Sequence, residues 1–256
     1  MPARTFVIGD IHGCATEIDR LLEVIAPTAS DTLVFLGDYI DRGPAAKPVV
    51  DRLIQLRREG PTCVFLRGNH EDMFLAFLGQ PGAYGDAFLF NGGGATLRSY
   101  GLQGEFGQIT GAQLPPDHLE FFLSLQLQHV HGRFLCVHAG VAPTRPLAEQ
   151  RAEDVLWIRD EFISSPHPFP FTVLFGHTPQ REVLLHLPYK IGLDTGLVYW
   201  NKLSCLEIEA QRLLQIRRGD TQVHSRSLQE DFARSHHDRT ARHDGATQER
   251  RRQSAP

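Results

Sequence analysis

The sequence predicts an α/β fold whose parallel strands carry polar groups to one edge of a sheet, and three observations predict it. Phe6-Val7-Ile8, Leu33-Val34-Phe35-Leu36 and Cys63-Val64-Phe65-Leu66 are apolar runs of strand length. Each is followed by a segment of helical period. Each ends in a block that makes little sense as packing: Gly9-Asp10-Ile11-His12-Gly13, then Gly37-Asp38-Tyr39-Ile40-Asp41-Arg42-Gly43, then Gly68-Asn69-His70-Glu71. In β-α repeats of this kind, ligands bind at the carboxyl ends of the strands.

The elements follow in order. Ile18, Leu21, Leu22 and Ile25 predict a helix over about 15–25, and Val49, Val50, Leu53, Ile54 and Leu56 predict another near 46–58. A third helix begins near Glu71. The stretch 79–130 differs. Gly79-Gln80-Pro81-Gly82 and Asn91-Gly92-Gly93-Gly94 signal loops, the second read as a flexible lid. Leu114-Pro115-Pro116-Asp117 starts a helix. This segment is expected to be a small, mostly helical insertion that roofs the site. Strands then resume: Arg133-Phe134-Leu135-Cys136-Val137 ends in His138-Ala139-Gly140, and Thr172-Val173-Leu174-Phe175 ends in Gly176-His177-Thr178. Residues 189–209, with turns near Asp194-Thr195-Gly196 and Trp200-Asn201-Lys202, read as antiparallel strands. From 217 onward apolar residues nearly vanish, which predicts a disordered polar tail over 217–256 after a domain spanning 1–216.

Composition narrows the function class. The chain of 256 residues is 41% hydrophobic, enough for a substantial core. No apolar run has membrane-spanning length. Met1-Pro2-Ala3-Arg4 leads straight into the first strand, and no secretory signal is expected. Cys14, Cys63, Cys136 and Cys205 are scattered, with no CxxC pair, which points to a reducing, cytoplasmic setting. The net charge is −4, but the segment from Arg217 carries nine arginines against six acids, leaving −7 on the body. Such a body does not favour nucleic-acid binding, and suits a site that gathers carboxylates around cations.

The groups at the strand ends are Asp10, His12, Asp38, Asp41, Asn69, His70, His138 and His177. Carboxylates, an amide and imidazoles make a mixed oxygen and nitrogen shell for two transition-metal ions, with Asp38 best placed to bridge. The absence of thiolate argues against structural zinc, and the donors suit manganese, iron or zinc. Two ions about 3.5–4 Å apart generate hydroxide at neutral pH and clamp a phosphoryl group. Arginine suits phosphate because its planar fork binds two oxygens at once. Arg42 and Arg67 stand beside the blocks and Arg159 on a later segment. His70 is the natural proton donor to a leaving alkoxide, with Asp41 to orient it. Elsewhere, His129 and His131 read as strand-edge surface residues. His224, His236, His237 and His243, and the run Arg250-Arg251-Arg252, read as solvated tail.

The three blocks in this order resemble the signature of the phosphoprotein phosphatases, within the calcineurin-like metallophosphoesterases. Val137-His138-Ala139-Gly140, Phe175-Gly176-His177-Thr178 and Leu156-Trp157-Ile158-Arg159 match further positions of that pattern. The resemblance covers about 5–209. It implies a four-layer α/β/β/α sandwich with a dinuclear site on one edge. One metal would be held by Asp10, His12 and Asp38, the other by Asp38, Asn69, His138 and His177. His70 is implied as general acid paired with Asp41, Arg42 and Arg159 as phosphate ligands, and Arg67 as a further contributor. Glu71 is implied to be structural. The two divalent ions are expected to be Mn²⁺, with iron or zinc as alternatives.

The function expected is hydrolysis of phosphoserine and phosphothreonine in proteins, by direct attack of a metal-bound hydroxide and without a phospho-enzyme. A symmetrical dinucleoside polyphosphate hydrolase on the same fold is the alternative. That family shares the first two blocks but usually has Asp after its Gly-Asn-His, where this chain has Glu71, and carries a larger helical cap. A non-catalytic phosphatase-like scaffold is a third reading. Expected partners are phosphorylated proteins or other phosphoesters, with no nucleic acid or membrane; a monomer is compatible with the sequence, which leaves the oligomeric state open.

Overall fold

The computed structural model describes residues 3–234. Its strands are β1 (Thr5–Ile8), β2 (Thr32–Phe35), β3 (Thr62–Phe65), β4 (Gln128–His131), β5 (Phe134–Val137), β6 (Thr172–Phe175), β7 (Leu184–His186), β8 (Lys190–Gly192), β9 (Asp194–Thr195), β10 (Lys202–Glu207), β11 (Arg212–Arg217) and β12 (Val223–Ser227). Its α-helices are α1 (Ala15–Ile25), α2 (Ala46–Glu59), α3 (Asn69–Phe77), α4 (Gly94–Tyr100), α5 (Pro116–Leu123), α6 (Ala152–Trp157) and α7 (Asp160–Ile163). Among these residues no helix is long and apolar enough to cross a membrane.

Two sheets form. The first runs β12-β11-β10-β1-β2-β3, with β9 paired to β10; the second runs β4-β5-β6-β8-β7. Strands β1, β2 and β3 are parallel in the register Ile8–Phe35–Phe65, so their carboxyl ends, and the three polar blocks, emerge together. Strands β5 and β6 are also parallel and deliver His138 and His177 to a common edge. The 189–209 region is only partly antiparallel: β9 and β10 are so paired, whereas β8 lies parallel to β6.

Period-two alternation sorts side chains into layers. Phe6, Ile8, Leu33 and Phe35 face α1 and α2, while Val7, Val34 and Leu36 face the other sheet. That sheet answers with Phe134, Cys136 and Leu174 inward, and turns Leu135, Val137, Val173 and Phe175 toward α6 and α7. The result is the expected α/β/β/α sandwich with an apolar middle layer.

Two expectations change. The chain does not lose order at 217. β12 pairs with β11 along Arg212–Ser227 to Ile216–Val223, residues 229–234 are helical, and Leu228 and Phe232 are buried in the inter-sheet core. The strand is a polar edge, so it carries no hydrophobic alternation to announce it. His224 therefore stands on a strand. The calls on His236, His237, His243 and Arg250-Arg251-Arg252 lie outside the described residues. Second, the insertion buttresses the site instead of only roofing it. Phe88, Phe121 and Phe122 pack against Phe74 and the first core, and Tyr100 and His118 join through a 2.8 Å bond that His118 continues to Asp51. The glycine run at 92–94 is a tightly packed turn, where the Phe88 ring leaves no room for a Cβ on Gly93.

Candidate metal centre

The polar blocks leave their strands through backbone that ordinary residues avoid. His12, Asp38, Asp41, Arg42 and His177 all have φ between 46° and 70°. L-residues with a Cβ seldom enter this left-handed region, and clusters of them mark places where local strain is held by the surrounding fold. Glu71 supplies part of that hold. Its buried carboxylate accepts N–H bonds from Asp38, Tyr39, Ile40 and Gly68, at 2.9, 2.7, 3.3 and 2.9 Å. It thus ties the second block to the third, and is structural, as expected.

The side chains converge. His12 Nε2 is 3.4 Å from Asp38 Oδ2, and His138 Nε2 is 3.4 Å from Asp38 Oδ1. Asn69 Oδ1 lies 3.0 Å from both His138 Nε2 and His177 Nδ1. The Asp10 carboxylate accepts the His177 N–H at 3.0 Å through Oδ2, while its Oδ1 is buried with no hydrogen-bond partner. Two groups, His12–Asp38–His70 and Asp38–His138–His177, have donor atoms close enough to share one ion each, with Asp38 common to both.

Whether these residues fit cations can be decided from tautomers. His12 Nδ1 donates to the Ile40 carbonyl at 2.7 Å and His138 Nδ1 to the Leu36 carbonyl at 2.8 Å. Burial, opposed by Asp38, lowers the pKa of both, His12 to about 3, so each ring is neutral. The His138 Nε2 lone pair then faces the Asp38 carboxylate and the Asn69 amide oxygen, while that of His12 faces Asp38 and accepts the Arg42 N–H. Acceptors facing acceptors in a buried site call for a cation between them, and the carbonyl bonds behind the rings are the usual orienting partners of metal-bound imidazoles. Asp10 agrees: burial first, then the nearby Asp194 and Asp38, push its carboxyl well up. The donor chemistry fits divalent ions at the two groups that share Asp38, with Asn69 and Asp10 oxygens beside them.

His70 is within reach of the first group, its Nε2 4.0 Å from Asp38 Oδ2, but its other ring nitrogen is committed to a carboxylate. Its Nδ1 donates to Asp41 Oδ2 at 2.6 Å, and Asp41 Oδ1 accepts the Thr96 hydroxyl at 2.5 Å. Burial alone would lower the His70 pKa, but Asp38 and the bond to Asp41 outweigh it and raise it. Arg42 and Arg159 flank the cluster. Arg42 Nη1 donates to His12 Nε2 at 2.6 Å; Arg159 Nη1 donates to the His177 carbonyl at 3.1 Å and Thr178 Oγ1 at 3.2 Å. Arg67 is engaged elsewhere, paired with Asp72 at 3.2 Å.

Sequence reasoning missed three contributors. Thr96 lies 55 positions from Asp41 and has no local signal. Asp194 appeared only as a turn residue; burial, helped by the nearby Asp38, pushes its carboxyl up to about 6 against the Gly196 N–H bond. Tyr199 lies with its ring under Arg42, 5.6 Å from ring centre to guanidinium.

Comparison with known proteins agrees with the geometry. A family model for calcineurin-like phosphoesterases matches residues 3–214, and the chain belongs to that family. Serine/threonine-protein phosphatase 1 of Salmonella typhimurium is 31% identical over 215 residues, 80% of this chain and 91% of that protein. A symmetrical bis(5'-nucleosyl)-tetraphosphatase of Dechloromonas aromatica is 33% identical over 154 residues, 59% of this chain and 49% of that protein. The chain thus spans about half the length of that tetraphosphatase. A crystal structure provisionally described as a diadenosine tetraphosphatase superposes with a TM-score of 0.65 at 25% identity, covering 86% of this chain and 97% of that one.

Proposed function

We propose that this protein is a metal-dependent phosphomonoesterase that removes phosphate from serine and threonine side chains of proteins. The observation that carries the reading is the match to a serine/threonine phosphatase along 91% of that protein's length, where the tetraphosphatase match stops at 49%. The surroundings support it. A cavity of about 300 Å³ lined by Tyr84, Ala87, Asn91, Glu153 and Trp157 adjoins His177 through Trp157, giving room for a side chain next to the phosphorylated residue.

Asp10, His12 and Asp38 would hold one divalent ion, and Asp38, Asn69, His138 and His177 the other, with manganese as the native metal in this reading. Once bound, such a pair supplies an activated water and neutralises phosphoryl oxygens. The chain's own groups do the rest. Arg42 and Arg159 bind and orient the phosphoryl oxygens on opposite flanks. His70, held protonated by Asp41 and Asp38, presents its other ring nitrogen to the leaving alkoxide and gives it a proton. Asp41 fixes the ring's orientation and stabilises the positive imidazolium. The protein acts in this reading as a cytoplasmic monomer on phosphorylated proteins.

A second reading, hydrolysis of a symmetrical dinucleoside polyphosphate, is favoured by the superposition with the diadenosine tetraphosphatase structure. Turnover of a phosphoserine peptide and of diadenosine tetraphosphate, measured side by side with Mn²⁺, decides between them. A higher kcat/KM for the peptide is expected. A preference for the dinucleotide overturns the first reading in favour of the second.

A further inference from the structure

The Asn91-Gly92-Gly93-Gly94 turn brings two arginines to one cavity. A Cβ on Gly92 would sit 2.8 Å from Arg42 Cγ, and the Gly92 carbonyl accepts the Arg42 N–H at 3.2 Å. A Cβ on Gly94 would sit 3.4 Å from Arg98 Nη1, so the Arg98 side chain folds back along α4 over the bare glycine. Gly93 seats the turn on Phe88. Each glycine is therefore spent on bringing a neighbour closer. Ser99 follows on the same helix. Its Oγ accepts the Lys47 N–H at 2.9 Å, which leaves its hydroxyl proton free to donate.

Arg42, Arg98 and Ser99, with Pro44 and Ala95, line a cavity of about 240 Å³. None of the five is acidic. In a chain of net charge −4, two guanidiniums and a hydroxyl around one hollow without a carboxylate are an anion site in waiting. Its position gives the chemistry. Arg42 reaches His12 at the metal edge and lines this cavity as well, so an anion here lies next to the phosphoryl group being cleaved.

We propose that Arg98, Ser99 and Arg42 form a second phosphate subsite, which takes a further phosphate on the substrate beside the scissile one. The protein then prefers substrates carrying two neighbouring phosphates over those carrying one. The inference rests on the phosphoesterase reading above, because it needs Arg42 at the phosphoryl group. The shared ligand chemistry is an anionic phosphate group, whether from a second phosphoserine or from a polyphosphate chain.

The test uses the full chain loaded with Mn²⁺ and four substrates: p-nitrophenyl phosphate, a singly phosphorylated peptide, the same peptide with two adjacent phosphoserines, and diadenosine tetraphosphate. Arg98 is exposed on a short helix, so Arg98→Gln leaves the core untouched. Arg98→Gln is expected to raise KM about tenfold for whichever two-phosphate substrate is the better one, the size of a lost charge-assisted hydrogen bond. Its kcat/KM for p-nitrophenyl phosphate and for the single-phosphate peptide stays within about twofold, Arg98→Lys restores part of the loss, and Arg57→Gln, a distant exposed arginine, has no such effect. The better of the peptide and the dinucleotide names the source of the phosphate. Equal losses on one-phosphate and two-phosphate substrates, or no loss on either, overturn the subsite. Arg42→Gln separates the two claims: if it leaves p-nitrophenyl phosphate turnover unchanged, the assignment of Arg42 to the phosphoryl group is wrong, whatever Arg98 does.

Discussion

Asp41 and His70 form a closed pair: the carboxylate accepts the imidazole Nδ1–H at 2.6 Å, and both side chains are buried. Thr96 donates to the other carboxylate oxygen, and its Oγ1 accepts the Asp41 N–H at 2.9 Å. The imidazole can turn only one nitrogen toward a substrate, and its charge has a fixed partner behind it.

Asp41→Asn should separate substrates by leaving group. The amide cannot stabilise the imidazolium, so the His70 pKa falls, with Asp38 alone left to raise it against burial. Proton donation by a placed side chain contributes about 10²–10⁴-fold. A loss toward that size is expected for a phosphoserine peptide, whose alkoxide needs the proton. Only a few-fold loss is expected for p-nitrophenyl phosphate, whose leaving group does not. The protonated ring is the active form, so the raised pKa extends activity toward alkaline pH. The alkaline fall in kcat for the peptide should therefore move to lower pH in Asp41→Asn. Equal losses on both substrates would count against His70 as the acid.

Glu71→Gln should destabilise the fold by about 2 kcal/mol, measured by urea denaturation of the metal-free protein. Four N–H groups point at this carboxylate, and the Gln amide replaces one acceptor oxygen with a donor. A change within experimental scatter would show that the convergence of donors is energetically idle.

Removal of metal should abolish turnover and lower the melting temperature, and Mn²⁺ should restore both. An ion that binds only the folded state stabilises by about 2.7 kcal/mol at a hundredfold excess over its Kd. His138→Ala, which removes a donor from one group only, should reduce the bound ions from two toward one per chain by elemental analysis. Unchanged stoichiometry would refute the assignment of His138.

A pH effect on stability is expected far from the site. Arg4 donates to Asp31 through N, Nε and Nη2, and Thr28 adds N–H and O–H bonds. The Arg4 bonds hold the Asp31 carboxyl well below the usual carboxylate range, against its burial. A depressed folded pKa means that the unfolded chain takes up this proton first as pH falls. The stability is thus complete above about pH 4 and is lost on descent through the folded pKa. Asp31→Asn should be less stable at pH 7 and show a shallower loss of stability below pH 4. Parallel pH profiles for the two proteins would dismiss the pair.

The parts of the fold and site that were legible in the sequence were those written locally. β1, β2, β3, α1 and α2 announce themselves by period, and the polar blocks follow their strands directly. What escaped depends on distant contacts. β12, Val-His-Ser-Arg-Ser, is an exposed edge whose order comes from β11, and only Leu228 and Phe232 just after it hinted at burial. Gly92, Gly93 and Gly94 look like a mobile lid until Arg42, Phe88 and Arg98 are seen against them. Arg67 stands next to the third block, but Asp72, one turn into α3, captures it.

The left-handed backbone at His12, Asp38, Asp41, Arg42 and His177 sets survival against catalysis. Glycine adopts that conformation without strain and each present residue at a cost of about 1–2 kcal/mol. Replacing one of them with glycine relaxes the chain while deleting a group the chemistry uses. A library sorted for heat resistance alone would therefore enrich for silent proteins at these five positions. Sorting for retained turnover would return the strained residues every time, and that contrast gives a map of the site that requires no bound ligand.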